Sequence, residues 1–335
     1  MNNKKIGIIV VNYKDYANKY LADFYNSLKK QTYPTELVNY YVVDNASSDN
    51  SLNFLKTNFP EANILPREDG NYCAANTLGI NQAMKDNCEL FVIVNMDVIC
   101  DSNWLAELIK PLEQDEKIGI VQALILLAEK PNRINSTGNS FHYLGFGFTN
   151  DYQTEFKHDL IQREIKGYAS GCSFVITKEV IDKIGFYNDE LYMYHDDIDI
   201  SLKAKLAGYK IILNPKSVIY HKYEFNRSIR MVYFMERNRY LTILSFYKIK
   251  TLILFLPILL ILDLAMIVFS LKQGWFKQKI KIYWYFLQFK TWKKIVKNRK
   301  FIQKNRKIKD KQLLKDAKGK VLFQEINNPI LQYIG

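Results

Sequence analysis

The sequence predicts an α/β protein in which a doubly wound sheet occupies residues 1–225 and a helical extension occupies 226–335. Two observations predict it. Apolar runs of strand length alternate with helical patterns through the first hundred residues, the signature of strand–helix–strand units. The charge is also divided. From Arg227 onward there are 24 Lys and Arg against 5 acids, which leaves 23 against 29 before it. Such asymmetry assigns the two parts different partners.

The elements follow in order. Ile6 to Val11 (IGIIVV) is an unbroken, β-branched run of the kind found in central parallel strands. It is too short for a signal peptide and no small-residue cleavage site follows, so the chain is expected in the cytosol. Asp15 to Lys30 places Tyr16, Tyr20, Phe24 and Leu28 at helical spacing. Residues 38–43 form a second strand that runs into the polar turn Asp44 to Asp49. A helix over 51–58, a strand near Ile64, a helix over 72–85 and a strand over 90–94 complete the alternation. Ligands bind such sheets beyond the carboxyl ends of the strands. Asn12, Asp44 and the Asn95-Met96-Asp97 cluster all fall there. The four cysteines contain no C-x-x-C pair, which suggests free thiols in a reducing compartment. There is no G-x-G-x-x-G or Walker sequence, which disfavours dinucleotide and kinase functions.

Beyond these strands the residues resemble the family 2 glycosyltransferases of the GT-A fold, in particular bacterial members similar to rhamnosyltransferases. The likeness covers about residues 4 to 225. It rests on IVVNYK, VVDNASSDNS and VNMDV, then on the long block from YASGCSFVITKEV through HDDIDISLKAKLAGYK to VIYHK. It implies a GT-A-type mixed sheet and transfer of a sugar from a nucleotide diphosphate donor to an acceptor hydroxyl, with inversion.

The resemblance also implies roles for particular residues. Asn95-Met96-Asp97 stands in place of the family's Asp-x-Asp, which makes Asp97 the carboxylate ligand of a divalent Mn or Mg ion. His221 is expected to join it; oxygen and imidazole donors suit such an ion. In His195-Asp196-Asp197-Ile198-Asp199, which matches Glu-Asp-x-Asp, Asp197 is the general base, and Asp196 holds the acceptor or tunes its neighbour. Asp44 would accept the imide N–H of a uracil or thymine ring. Asn12, Asn76 and Asn95 fall in the segments that shape the donor site. Two departures leave the donor sugar open: Asn71 to Thr77 (NYCAANT) replaces the usual Gly-Phe-Ala-Gly-Gly-Asn-Asn, and Tyr187-Asn188-Asp189 replaces Phe-Asp-Glu. Each assignment has a plainer alternative. Asp97 and Asp44 also suit turns, His221 a strand end, and the acids the dipole at the start of a helix over 201–207.

Thr251 to Ser270 is apolar and long enough to span a bilayer, yet Pro257 and Asp263 interrupt it. Basic residues flank both sides: Arg237, Arg239, Lys248 and Lys250 before, Lys272, Lys277, Lys279 and Lys281 after. With the aromatic residues Trp275 to Trp292, this suits a segment lying in, or dipping into, an anionic membrane surface on its cytoplasmic face. A buried helix pair is the alternative. Nucleic acid ranks below both, because no nucleic-acid motif accompanies the basic residues. The acceptor is then expected to be a surface glycan or a polyprenyl-linked sugar. The rival readings are a nucleotidyltransferase on a related fold, whose Gly-rich triphosphate loop is missing here, and a non-catalytic adaptor working through the basic tail.

Overall fold

The computed structural model describes residues 4–223 and 229–319. The boundary expected near 225 and the tail beyond 319 lie outside the described residues. The alternation appears as β1 (Ile6–Tyr13), α1 (Tyr16–Leu28), β2 (Val38–Asn45), α2 (Asp49–Asn58), β3 (Ala62–Arg67), α3 (Tyr72–Lys85) and β4 (Leu90–Val94). Next come β5 (Val98–Cys100), α4 (Trp104–Ile109), β6 (Ile118–Leu127), β7 (Lys130–Ser136), β8 (Asn139–Phe141), β9 (Gly147–Thr149) and β10 (Arg163–Glu164). The sheet region closes with β11 (Ser173–Thr177), α5 (Lys178–Ile184), α6 (Asp196–Leu206) and β12 (Lys210–His221).

The main sheet runs β10-β12-β6-β11-β4-β1-β2-β3, with β5 on β12 and β7 on β6. Strands β3, β2, β1 and β4 are parallel. The sheet becomes mixed at β11, which is antiparallel to both β4 and β6. Every residue of β4 is buried, as expected of a strand covered on both faces. Helix α3 lies close on β1 because two positions lack a side chain: a Cβ at Gly79 would sit 2.7 Å from Ile9 Cγ2, and one at Gly7 2.7 Å from Ala83 Cβ. All four cysteines are buried and free.

The remaining helices are α7 (Ile229–Phe246), α8 (Ile249–Lys272), α9 (Phe276–Leu287), α10 (Phe289–Lys304) and α11 (Asp310–Lys315). Two expectations are corrected here. Pro257 and Asp263 do not interrupt the apolar segment, because α8 runs unbroken through both. Asp263 survives in it because its carboxylate turns to polar partners: Lys279 Nζ at 2.6 Å, Tyr283 Oη at 2.6 Å, and the Tyr240 hydroxyl. The alternative of a buried helix pair also fails, since Ile253, Leu254, Leu256, Leu260, Ile261 and Leu264 are exposed. Only a narrow stripe, including Leu252, Phe255 and Leu259, packs on the α7 side. Nor do all the flanking cations face outward. Arg237, Arg239 and Lys279 are buried, and only the five lysines 248, 250, 272, 277 and 281 remain exposed.

Candidate functional site

The carboxyl ends of β1, β2 and β4 form one rim, and parallel register sets Asn12 opposite Asp44. Both are fully buried and they hold each other: Asn12 Nδ2 donates to Asp44 Oδ1 at 2.7 Å. Asp44 Oδ2 accepts from Ser47 Oγ at 2.6 Å and Ser51 Oγ at 2.7 Å. Most of the acceptor capacity of Asp44 is therefore used within the turn, and an incoming imide must displace a partner. Asn76 is buried in α3, where its amide donates to the Tyr72 carbonyl at 3.0 Å. Asn95 stays on the rim, half-buried, with its N–H donating to the Cys172 carbonyl at 3.0 Å.

Pairing of β5 with β12 puts Val98 opposite His221, and Lys222 N–H donates to the Asp97 carbonyl at 2.8 Å. This brings together two side chains 124 residues apart: His221 Nε2 lies 3.2 Å from Asp97 Oδ2. On the other side of the ring, His221 Nδ1 lies 3.0 Å from Asn135 Oδ1. With an amide oxygen on Nδ1 and a carboxylate oxygen on Nε2, both ring nitrogens face acceptors, and both can donate in the protonated imidazole. Burial alone would raise Asp97, but the imidazole and the Tyr16 hydroxyl facing it hold its carboxyl below the usual range. His221 moves the other way: burial opposes its protonated form, and Cys172 and Asp97 beside it outweigh that. Asp97 Oδ1 is buried with no hydrogen-bond partner among the described residues. A buried carboxylate oxygen without a partner, next to an imidazole nitrogen, offers two donors of the kind that could hold a divalent cation. Among the described residues no three His, Cys, Asp or Glu side chains gather at one point.

The acids are placed differently from expectation. Helix α6 starts at Asp196 rather than near 201, so Asp196, Asp197 and Asp199 occupy its first turn. The three are not equivalent. Asp199 is buried against Lys203 at 2.5 Å, one turn along the same helix, and is thereby paired. Asp196 and Asp197 have no cation of their own among the described ion pairs. Burial lifts both above the usual carboxylate range, reinforced at Asp196 by the charge of Asp199 and at Asp197 by that of Asp196.

Gly171 lies over them: a Cβ built on it would sit 3.7 Å from Asp197 Cβ and 3.8 Å from Asp196 Oδ2. The next residue, Cys172, interacts with His221 and Asp97. One step of backbone thus separates the acid pair from the Asp97–His221 pair, which makes them two corners of one site. The sequence reading missed Asn135, Tyr16 and Cys172. Only Cys172 had a signal, its place in the Ser170-Gly171 segment; Asn135 lies in an unremarkable edge strand.

The sheet and its rim are those of a GT-A glycosyltransferase fold. The structure of GalNAc-T7 with UDP, GalNAc and Mn2+ superposes with a TM-score of 0.54 at 17% identity, covering 73% of this chain and 50% of that one. TarS of S. aureus superposes at 0.50 with 18% identity, covering 72% of this chain and 40% of that one. The family profile for glycosyl transferase family 2 matches residues 7–185, and the chain belongs to that family. A curated relative, the uncharacterized protein y4gI of Sinorhizobium fredii, is 27% identical over 159 residues. That match takes in 45% of this chain but 17% of the relative, so the chain spans only a small part of that protein.

Proposed function

We propose that the protein transfers a glycosyl group from a pyrimidine nucleoside diphosphate sugar to an acceptor hydroxyl, with inversion. The observation that carries this reading is the meeting of the Asp97–His221 pair and the Asp196–Asp197 pair on either side of Gly171-Cys172. Asp197 accepts the proton of the acceptor hydroxyl as that oxygen bonds to the anomeric carbon. The bond from that carbon to the diphosphate oxygen breaks, and the nucleoside diphosphate leaves with the electron pair. A carboxylate lifted toward neutral pH is suited to such proton transfer. A divalent cation on Asp97 and His221 would neutralise the charge that accumulates on the leaving diphosphate. GalNAc-T7 carrying Mn2+ on the same fold supports that choice. One displacement inverts the anomeric centre.

Selection of the nucleobase is assigned to Asn12 and Asp44, with Ser47 giving way on Oδ2 as the imide arrives. Residues up to about 225 make the transferase unit, and the helices after it hold the unit on the cytoplasmic face of a membrane. Helix α8 is tied lengthwise to its neighbours, by Thr251 to Asp310 at its start (2.5 Å) and by Asp263 to Lys279 at its middle (2.6 Å). Those bonds favour a helix lying along the surface over one standing across the bilayer. The acceptor is then a surface-glycan precursor or a polyprenyl-linked sugar.

The test is nucleoside diphosphate release from a panel of UDP-, dTDP- and GDP-sugars, with Mn2+ or with excess chelator. Release from uridine or thymidine donors that stops with chelator and returns with Mn2+ is expected. Undiminished release in chelator would refute the cation site, and preference for GDP-sugars the role of Asp44.

A further inference from the structure

The turn that delivers the acid pair is strained. Tyr192, Tyr194 and His195 have φ of 66°, 63° and 62°, the left-handed region that non-glycine residues avoid. Each such residue is strained and persists only where its surroundings hold it. Most of what holds it comes from α7, beyond the sheet region. Asn238, fully buried, donates through its single amide nitrogen to the carbonyls of Leu191, Met193 and Tyr194, each at 2.9 Å. Two N–H bonds thus serve three carbonyls of the turn. Arg237 Nη2 donates to the carbonyls of Glu190 at 2.6 Å and Leu191 at 2.9 Å. The same guanidinium orients Asn238, donating to its Oδ1 from Nε at 3.0 Å and Nη2 at 2.8 Å.

We propose that Asn238 is a positioning residue for the transfer reaction. From α7 it fixes the 191–195 turn in its strained form and so sets the placement of Asp196 and Asp197. This rests on the reading of Asp197 as base. The Leu191 carbonyl also accepts from Met193 N–H at 2.8 Å, but those of Met193 and Tyr194 are met from α7. They have no substitute when that element changes, and a carboxylate displaced by about 1 Å can cost about a hundredfold in rate.

Asn238→Asp is the sharpest test, because it replaces only the donating amide and leaves an oxygen for Arg237. In the full chain, hydrogen exchange should accelerate at least about tenfold in peptides covering 190–197, while β1 and β4 stay protected. With UDP-glucose, UDP-N-acetylglucosamine and dTDP-rhamnose as probe donors, kcat should fall about 10- to 100-fold with KM for the donor little changed. Adding Asn238→Asp to Asp197→Asn should cost little more, since both act on one carboxylate. Arg237→Lys, which loses the fork but keeps the charge, should give the same pattern more weakly and guards against a simple folding defect. Unchanged exchange at 190–197 overturns the inference whatever the activity, and so do fully additive kinetic losses. Parent-like turnover in Asp197→Asn, with exchange accelerated in Asn238→Asp, instead overturns the base and with it the catalytic role of the turn.

Discussion

The two regions bury acids in opposite ways. Among the described helices after Ile229 the buried acids have cations, Glu236 with Arg239 at 2.8 Å and Lys279 at 3.0 Å, Asp310 with Arg306, and half-buried Asp263 has Lys279 at 2.6 Å. At the rim of the sheet, Asp44 is held by neutral donors, Asp97 by a histidine, and Asp196 and Asp197 by backbone N–H groups. Asp199, within the same helical turn as the acid pair, follows the other pattern and has Lys203. Compensated burial builds architecture, and uncompensated burial is kept where a ligand is to supply the missing charge or proton.

The sharpest break of the comparison removes a compensating cation. Lys279 serves Glu236 and Asp263 at once and is fully buried. Lys279→Ala leaves Glu236 with Arg239 alone and Asp263 with its tyrosine hydroxyls alone, and should destabilise the helical region by up to about 3 kcal/mol. Chemical denaturation of the parent and the variant measures this; equal stability would mean the pair is solvated rather than internal. A smaller effect concerns the exposed face of the same region. The α8 leucines and isoleucines and the five remaining flanking lysines should act together on vesicles containing anionic lipid. High salt should therefore release only part of the protein and detergent all of it. Protease outside right-side-out vesicles should leave both ends uncut, and cleavage of a C-terminal tag there would indicate a span.

Much of the fold was legible because buried parallel strands must be apolar along their length. Ile6–Val11, Val38–Val43 and Leu90–Val94 were each found within two residues of their structural ends. Asp97 and His221 were legible through family resemblance, and β5–β12 pairing supplies the reason they meet. The start of α6 was not legible. Asp is a poor helix former in the interior and good at the first turn; the cluster reads as a loop until the left-handed His195 is seen to start the helix beneath it. The bond from the Asn76 amide back to its own helix was equally hidden, since a buried asparagine has the same letter as an exposed one. The flanking cations misled for a related reason. Arg239 and Lys279 read as solvated charge because their partners, Glu236 and Asp263, lie one turn and sixteen residues away.

The central claim is that the uncompensated acid pair carries the chemistry, and turnover of Asp197→Asn tests it most directly. Nucleoside diphosphate release should fall about a hundredfold or more, the usual worth of a general base, while UDP binding in Mn2+ stays near that of the parent. Transfer at close to the parent rate would contradict the account and leave Asp197 as the first-turn acid of α6 and nothing more.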